Sequence, residues 1–259
     1  MLPKDDLLKG VEHRDCLARL LDQAEQALKT WEVVYSDFLS PPEQAEAQRL
    51  FQRLTDIQIA AWGGYPQAER QRLAIARPDL PLEVGDMPLT LLQVAGNFMF
   101  DPASHRDFLG AVLGAGLVRD KIGDILVGGE RGAQVIVVPE VAEFLSLHLT
   151  QVRSVPVKTQ VIPWSELRVR PPQQKQLTTV EASLRLDAIA SAGFGMSRSK
   201  MADLISAGDV RVNWKTITQP SHTLKTGDLV AIRGKGRLTV GEVAVTKKER
   251  YRVDLSRSS

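Results

Sequence analysis

Apolar side chains recur three and four positions apart at Leu17, Leu20, Leu21, Ala24 and Leu28, the spacing of one helix face, and the opposite face is charged. A second helix opens at Ser40-Pro41-Pro42-Glu43. Ser40 can cap it, Pro41 suits the first helical position, and Glu43 can reach back as the acid of a capping box. Leu50 and Leu54 continue its stripe. The helical period breaks at Arg77-Pro78-Asp79-Leu80-Pro81, which sets a first domain boundary. Beyond it the pattern is mixed. Residues 89–94 read as a strand, and Ser104 and Asp107 bracket the start of a helix carrying Phe108, Leu109, Val112 and Leu113. Residues 122–127 and 133–138 read as strands joined by a glycine-rich turn. Pro139 and Glu140 open another helix with Val141, Phe144, Leu145 and Leu149, and residues 155–162 form a last β-branched run. Strand, helix, strand, strand, helix, strand is the split-βαβ, ferredoxin-like plan, also used by RNA-recognition folds. Its central strands offer Ile125, Val127, Val135 and Val137 in place of aromatic residues, so no base-stacking platform is expected there.

The stretch from Arg168 to Gln176 is polar and contains Pro171 and Pro172, which predicts a linker. After it, Ser183 to Ala190 reads as a helix with Leu186, Ile189 and Ala190 inward. Ser197 caps the next helix, whose buried stripe is Met201, Leu204 and Ile205. Arg198 and Lys200 then fall at the two borders of that stripe, close to the helix N-terminus, where free backbone N–H groups and the dipole also favour phosphate. Because Arg198 lies beside the stripe, the fold is expected to survive its replacement. Gly208 ends the helix, Val210 and Val212 alternate inward on a strand with Arg211 and Asn213 outward, and Lys215 follows in the turn. A turn at Gly227-Asp228 leads to a strand over 229–232. Arg233-Gly234-Lys235-Gly236-Arg237 then places three cations on a glycine-permissive loop.

Charge sharpens this picture. The formal net charge of +2 conceals a segregation: 14 Lys and Arg against 22 Asp and Glu up to Val152, and 19 against 9 from Arg153 on, or −8 and +10. A basic part carried by an acidic body is the pattern of a polyanion-binding module. Composition is otherwise ordinary, and no apolar run approaches the twenty or so residues of a membrane span. Met1 to Gly10 lacks the apolar core of a secretory signal. A cytoplasmic site, or the equivalent soluble organellar compartment, is therefore expected. Cys16 stands alone, which forbids an internal disulfide and a cysteine-cluster zinc site, and His13, His105, His148 and His222 lack metal-ligand spacing. Gly114-Ala115-Gly116 imitates the start of a dinucleotide fingerprint, but Arg119 replaces its last glycine. Neither metal nor cofactor is expected.

The series Arg185-Leu186-Asp187, Ser197-Arg198, Leu204-Ile205, Gly208-Asp209-Val210, Val212-Asn213, Pro220-Ser221, Gly227-Asp228 and Arg233-Gly234 is similar, in order and spacing, to the S4 RNA-binding domain. It departs at Trp214-Lys215, where many such domains continue with glycine. Asn213-Trp214-Lys215, with His105-Arg106-Asp107-Phe108-Leu109-Gly110 and Lys121-Ile122-Gly123-Asp124, resembles the YlmH family of ribosome-associated proteins. Within that family it is most similar to the branch of photosynthetic organisms called the photosystem II S4 domain protein. The resemblance implies an α+β chain. Its parts are an N-terminal helical region (1–77), a ferredoxin-like, RRM-like middle domain (78–167), a linker (168–177) and an S4-type, alpha-L RNA-binding domain (178–259). It also implies non-enzymatic binding of structured ribosomal RNA of the large subunit, and of tRNA, in the rescue of stalled nascent chains.

The residues expected to meet RNA are Arg185, Ser197, Arg198, Lys200, Arg211, Asn213, Trp214, Lys215, Arg233, Lys235 and Arg237. For Arg185 an ion pair with Asp187 that orients the first helix weighs equally with RNA contact. For Trp214 a cover over the domain core outweighs stacking on a base. Two rival functions stand beside RNA binding. An RNA-modifying enzyme addressed by its S4 domain would need a nucleotide-binding βαβ unit or a large catalytic domain, and neither is visible. A protein-docking role for the acidic half, as in a photosystem II assembly factor, could coexist with RNA binding.

Overall fold

The computed structural model describes residues 2–169, 174–232 and 234–258, and the chain divides into two compact units, Met1–Val169 and Arg170–Ser259. The linker positions 170–173 lie outside the described residues.

The first unit opens with α1 (Lys4–Leu7), α2 (Arg14–Thr30), β1 (Val34–Tyr35), α3 (Pro41–Phe51), β2 (Gln58–Trp62) and β3 (Arg72–Ala76). Leu17, Leu20, Leu21 and Ala24 of α2 are buried against Leu50 and Phe51 of α3 and Leu73 and Ile75 of β3. The capping box at α3 forms, with the Ser40 N–H donating to Glu43 at 2.6 Å. This region also holds an antiparallel sheet in the order β1-β3-β2, which helical periodicity did not reveal. β3 is buried along its whole length, so it has no polar face to alternate. Its first residue, Arg72, is buried because its guanidinium donates to the carbonyls of Ser36 (2.6 Å) and Pro88 (2.5 Å).

The unit continues through β4 (Thr90–Ala95), α4 (His105–Gly114), β5 (Ile122–Val127), β6 (Gly132–Val137), α5 (Ala142–His148), β7 (Gln151–Val152), β8 (Val155–Pro156) and β9 (Lys158–Val161). The strands join antiparallel in the order β5-β6-β4-β9, the ferredoxin-like arrangement. One strand expected over 155–162 is instead two, because Val155–Pro156 turns back on β7 before β9 joins β4. One face of the sheet packs on α4 and α5 through Leu92, Val94, Val135, Phe108, Val112 and Leu145. Its other face is covered as well: Leu91 and Ile136 are buried with Phe38, Tyr65 and Ala68. RNA-recognition folds present their sheet to RNA. Here that face is closed by the protein's own N-terminal region.

Residues 121–124 fasten this cover. Lys121 reaches Asp37 at 2.6 Å, and Ile122 is fully buried. A Cβ at Gly123 would stand 2.7 Å from the Phe38 ring, and the Asp124 carboxylate accepts from the Tyr65 hydroxyl (2.7 Å) and the N–H groups of Glu69 (2.7 Å) and Arg70 (3.0 Å). The buried Arg70 guanidinium in turn donates to the carbonyls of Phe38, Arg119 and Ile122.

The second unit comprises β10 (Gln174–Glu181), α6 (Leu186–Phe194), α7 (Arg198–Ser206), β11 (Val210–Val212), β12 (Lys215–Thr216), β13 (Leu229–Ile232), β14 (Gly236–Val245) and β15 (Tyr251–Ser258). Its antiparallel sheet has the order β10-β15-β14-β13-β11-β12. β10 begins inside the stretch read as a linker: Gln174, Lys175, Gln176 and Leu177 pair with Ser258, Arg257, Ser256 and Leu255. α6 begins at Leu186, later than expected, because Arg185 is extended and bridges Thr223. Leu186, Ile189, Met201 and Ile205 are buried on Val210, Val212, Val230, Leu238, Val240 and Leu255, so both helices cover one face of the sheet. Gly193 allows the close approach, since a Cβ there would collide with Leu238.

Candidate nucleic-acid interface

The short helices of the second unit are held by one buried carboxylate. Asp187, 5% exposed in the first turn of α6, accepts two hydrogen bonds from Arg185 (3.1 and 3.0 Å) and two from Arg198 (3.1 and 3.2 Å). Burial pushes the Asp187 carboxyl up, but its hydrogen bonds with Arg185 and Arg198 and their positive charges outweigh that and hold it below the usual carboxylate range. Arg185, the residue before α6, is therefore engaged by an ion pair, and so is Arg198 at the start of α7. The second pairing was not foreseen, because sequence spacing cannot tell which helix end will face Asp187. Both guanidinium groups keep a solvent side, with side-chain exposures of 40% and 56%.

Ser197 caps α7, its hydroxyl oxygen accepting from the N–H of Lys200 at 3.3 Å. Lys200 is exposed, while Met201 and Ile205 are fully buried beneath it. The first-turn N–H groups that a helix cannot satisfy internally thus stand beside Arg198 and Lys200. Lys215 is exposed on the edge strand β12, opposite Val212.

The remaining candidates lie elsewhere. Asn213 and Trp214 form the two-residue turn between β11 and β12, both with positive φ, 48° and 69°. This is the type I′ geometry, which asparagine accepts readily and which strains a tryptophan. The Asn213 amide is committed inside the fold: it donates to Asp228 (2.8 Å) and accepts from the N–H of Leu229 (3.0 Å). The Arg237 guanidinium lies over the Trp214 ring, 4.9 Å from its centroid. Arg211 is exposed on β11, and strand pairing joins it to Ala231 and Ala231 to Arg237. These three residues alternate with the buried Val210, Val212, Val230 and Leu238, so Arg211 and Arg237 occupy the face turned away from the helices. Lys235 is half-buried in the turn before β14, and Arg233 lies outside the described residues.

Arg257 stands outside the residues expected to meet RNA. Arg257 on β15 donates to the carbonyls of Phe194 (3.2 Å) and Lys235 (3.3 Å), and stacks on the Phe194 ring at 5.2 Å. The alternation of Val253, Leu255 and Arg257 was the available signal.

The first unit offers little chemistry. Cys16 is buried, and burial pushes its thiol up to about 12, so it is protonated at neutral pH. A recess of about 350 Å³ beside α3 and β2 is lined by Gln48, Gln52 and apolar side chains between Phe51 and Ala61, and none of these is titratable. Among the described residues no group of three or more His, Cys, Asp or Glu is placed to hold a metal ion, and no helix is long and apolar enough to cross a membrane.

Three family models match the chain: the N-terminal domain of YlmH over residues 12–80, the putative RNA-binding domain in YlmH over 83–166, and the S4 domain over 184–230. The chain is 35% identical over 223 residues to ribosome-associated protein quality control protein P2 of Bacillus subtilis, covering 86% of each chain. It is 43% identical over 54 residues to small ribosomal subunit protein uS4 of Pseudomonas savastanoi, 20% of this chain and 26% of that one. Its fold is similar to that of the cell division protein ylmH from Streptococcus pneumoniae, with a TM-score of 0.53 at 19% identity, over 61% of this chain and 94% of that one.

Proposed function

The chain belongs to the YlmH family, and on that premise we propose that it is a ribosome-associated factor of protein quality control that grips ribosomal RNA through the helical face of its second unit. The observation that carries this reading is the start of α7. There a capped helix N-terminus, Arg198 and Lys200 stand together on the domain matched by the S4 model. Phosphate oxygens suit such a place, because backbone N–H groups, helix dipole and side-chain cations act in one direction. Arg185 and Arg198 reach it already oriented by Asp187, so little side-chain entropy is lost on binding. Lys215, paired with the buried Val212, extends the cationic border of this face.

The partners assigned are large-subunit ribosomal RNA and tRNA, and the compartment is the cytoplasm or its organellar equivalent. The acidic first unit, repelled by phosphate and with its sheet closed on both faces, is assigned to protein contacts. The chain acts by binding and not by catalysis. Supporting this, the Bacillus subtilis relative is named a ribosome-associated protein quality control protein, and the matched models include a putative RNA-binding domain and an S4 domain.

Crosslinking of the purified full chain in cell extract, followed by sequencing of the attached RNA, is expected to recover large-subunit ribosomal RNA. Recovery of mainly messenger RNA would overturn the reading. Incubation with ribosomal RNA and S-adenosylmethionine is expected to leave the nucleosides unchanged by mass spectrometry.

A further inference from the structure

The cations of the second unit do not form one patch. Strand pairing places Gln174, Ser258, Arg237, Ala231, Arg211 and Thr216 in a single row across the sheet. A neighbouring row holds Gln176, Ser256, Thr239 and Leu229. Both rows lie on the face opposite α6 and α7 and remain accessible to solvent. The helical face and this sheet face are separated by the domain core, so RNA lying on one is turned away from the other.

Resting on the RNA-binding function proposed above, we infer that this outer sheet face is a second RNA surface, so that the unit holds two RNA segments at once. The chemistry of the rows selects RNA. Arg211 and Arg237 are two strands apart, roughly 10 Å at the usual strand spacing, and the small side chain of Ala231 leaves the floor between them low. Hydroxyl and amide groups from Gln174, Gln176, Ser256, Ser258, Thr216 and Thr239 surround that floor and suit phosphate and ribose oxygens. Trp214 holds the Arg237 guanidinium from the neighbouring turn, which fixes the charge before RNA arrives. A protein partner would be served by an apolar centre, and these rows supply only Ala231 and the half-buried Leu229. Asp254 of β15 is paired with Thr178 one step beyond these rows and accepts from its hydroxyl at 2.8 Å.

The test uses the full chain, immobilised large ribosomal subunits and a fluorescent 20-nucleotide uridine strand. Wild type is expected to bind the subunit and to carry the uridine strand onto it, with quenching of Trp214 fluorescence that is lost in Trp214→Phe. Arg211→Ala/Arg237→Ala is expected to bind the subunit unchanged and to lose at least tenfold in uridine capture. Its salt dependence for the strand should flatten by about 1.4 log–log units, about 0.7 for each single-strand phosphate contact removed. Thr239→Glu, which leaves both arginines in place, should lose capture by repulsion, and Arg211→Lys/Arg237→Lys should largely restore it. Uridine capture by the double alanine and Thr239→Glu variants at the wild-type level would overturn the second surface and leave the first intact, as would a wild type that binds the subunit but captures no uridine strand. A wild type that fails to bind the subunit would instead overturn the function on which this inference rests.

Discussion

Arg198 meets Asp187 through two hydrogen bonds of 3.1 and 3.2 Å, although the two residues lie eleven positions apart on different helices. The same guanidinium that faces the proposed RNA therefore also fastens α7 to α6. Its replacement tests the fold as well as the interface, contrary to what the helical stripe alone suggests.

Arg198→Ala is expected to cost about 1 kcal/mol, since the pair is half open to solvent and Arg185 still partners Asp187. Arg198→Glu should cost more, because it sets a second carboxylate against a buried one. Lys200→Glu, on an exposed side chain, should leave stability unchanged while weakening RNA binding. Denaturant unfolding of the three variants beside ribosome-binding assays separates these effects.

Acid should weaken this clamp. Because the folded Asp187 carboxyl is held below its ordinary 3.8, its contribution is fully present above that value and is lost as pH falls through the lower folded value. Protection of α6 and α7 amides against hydrogen exchange, corrected for the intrinsic pH dependence of the rate, is expected to fall below about pH 4 in wild type. In Asp187→Asn the protection should be lower at neutral pH and should change less over the same window. Equal acid sensitivity in the two proteins would contradict the assignment.

Trp214→Gly should behave unlike most tryptophan deletions. Relief of the positive φ is worth about 1–2 kcal/mol, against about 0.5–1 for the lost stack with Arg237. Stability should hold or rise slightly in thermal unfolding, while uridine binding falls.

Gly123→Ala places a methyl group against the Phe38 ring and 3.2 Å from the Ile136 carbonyl oxygen. Overpacking of this kind costs about 1–3 kcal/mol. The loss should appear in the first unit only, with RNA binding by the second unit retained; a parallel loss of RNA binding would show that the two are coupled.

What the sequence disclosed follows from which signals are local. Both capping boxes, at Ser40 and Ser104, were legible because their partners are three residues apart. The strands over 122–127 and 229–232 were legible from short apolar runs beside glycine. The buried strand β3 was not, since its leading Arg72 reads as a solvent-facing charge until Ser36 and Pro88 are seen to accept from it. β10 was hidden for a related reason: an exposed edge strand rich in glutamine and threonine has the composition of a linker. In the candidate interface, residue types and the S4-like order were readable. The division of the cations between two faces was not, because it depends on the register of Arg211, Ala231 and Arg237 across three strands.

The fastening at Arg70 and Asp124 also sets an order of events during synthesis. Arg70 is made some fifty residues before the carbonyls of Arg119 and Ile122 that accept from it, and Tyr65 before the carboxylate it serves. Until those residues leave the exit tunnel, a guanidinium destined for burial has part of its acceptor set missing, and its desolvation is unfavourable. The early helices therefore emerge without the contacts that close the loop from Gly63 to Arg70. Closure of that loop must wait for the segment from Arg119 to Asp124, so a nascent chain arrested before that point carries Tyr65 and Arg70 without the acceptors that later bury them.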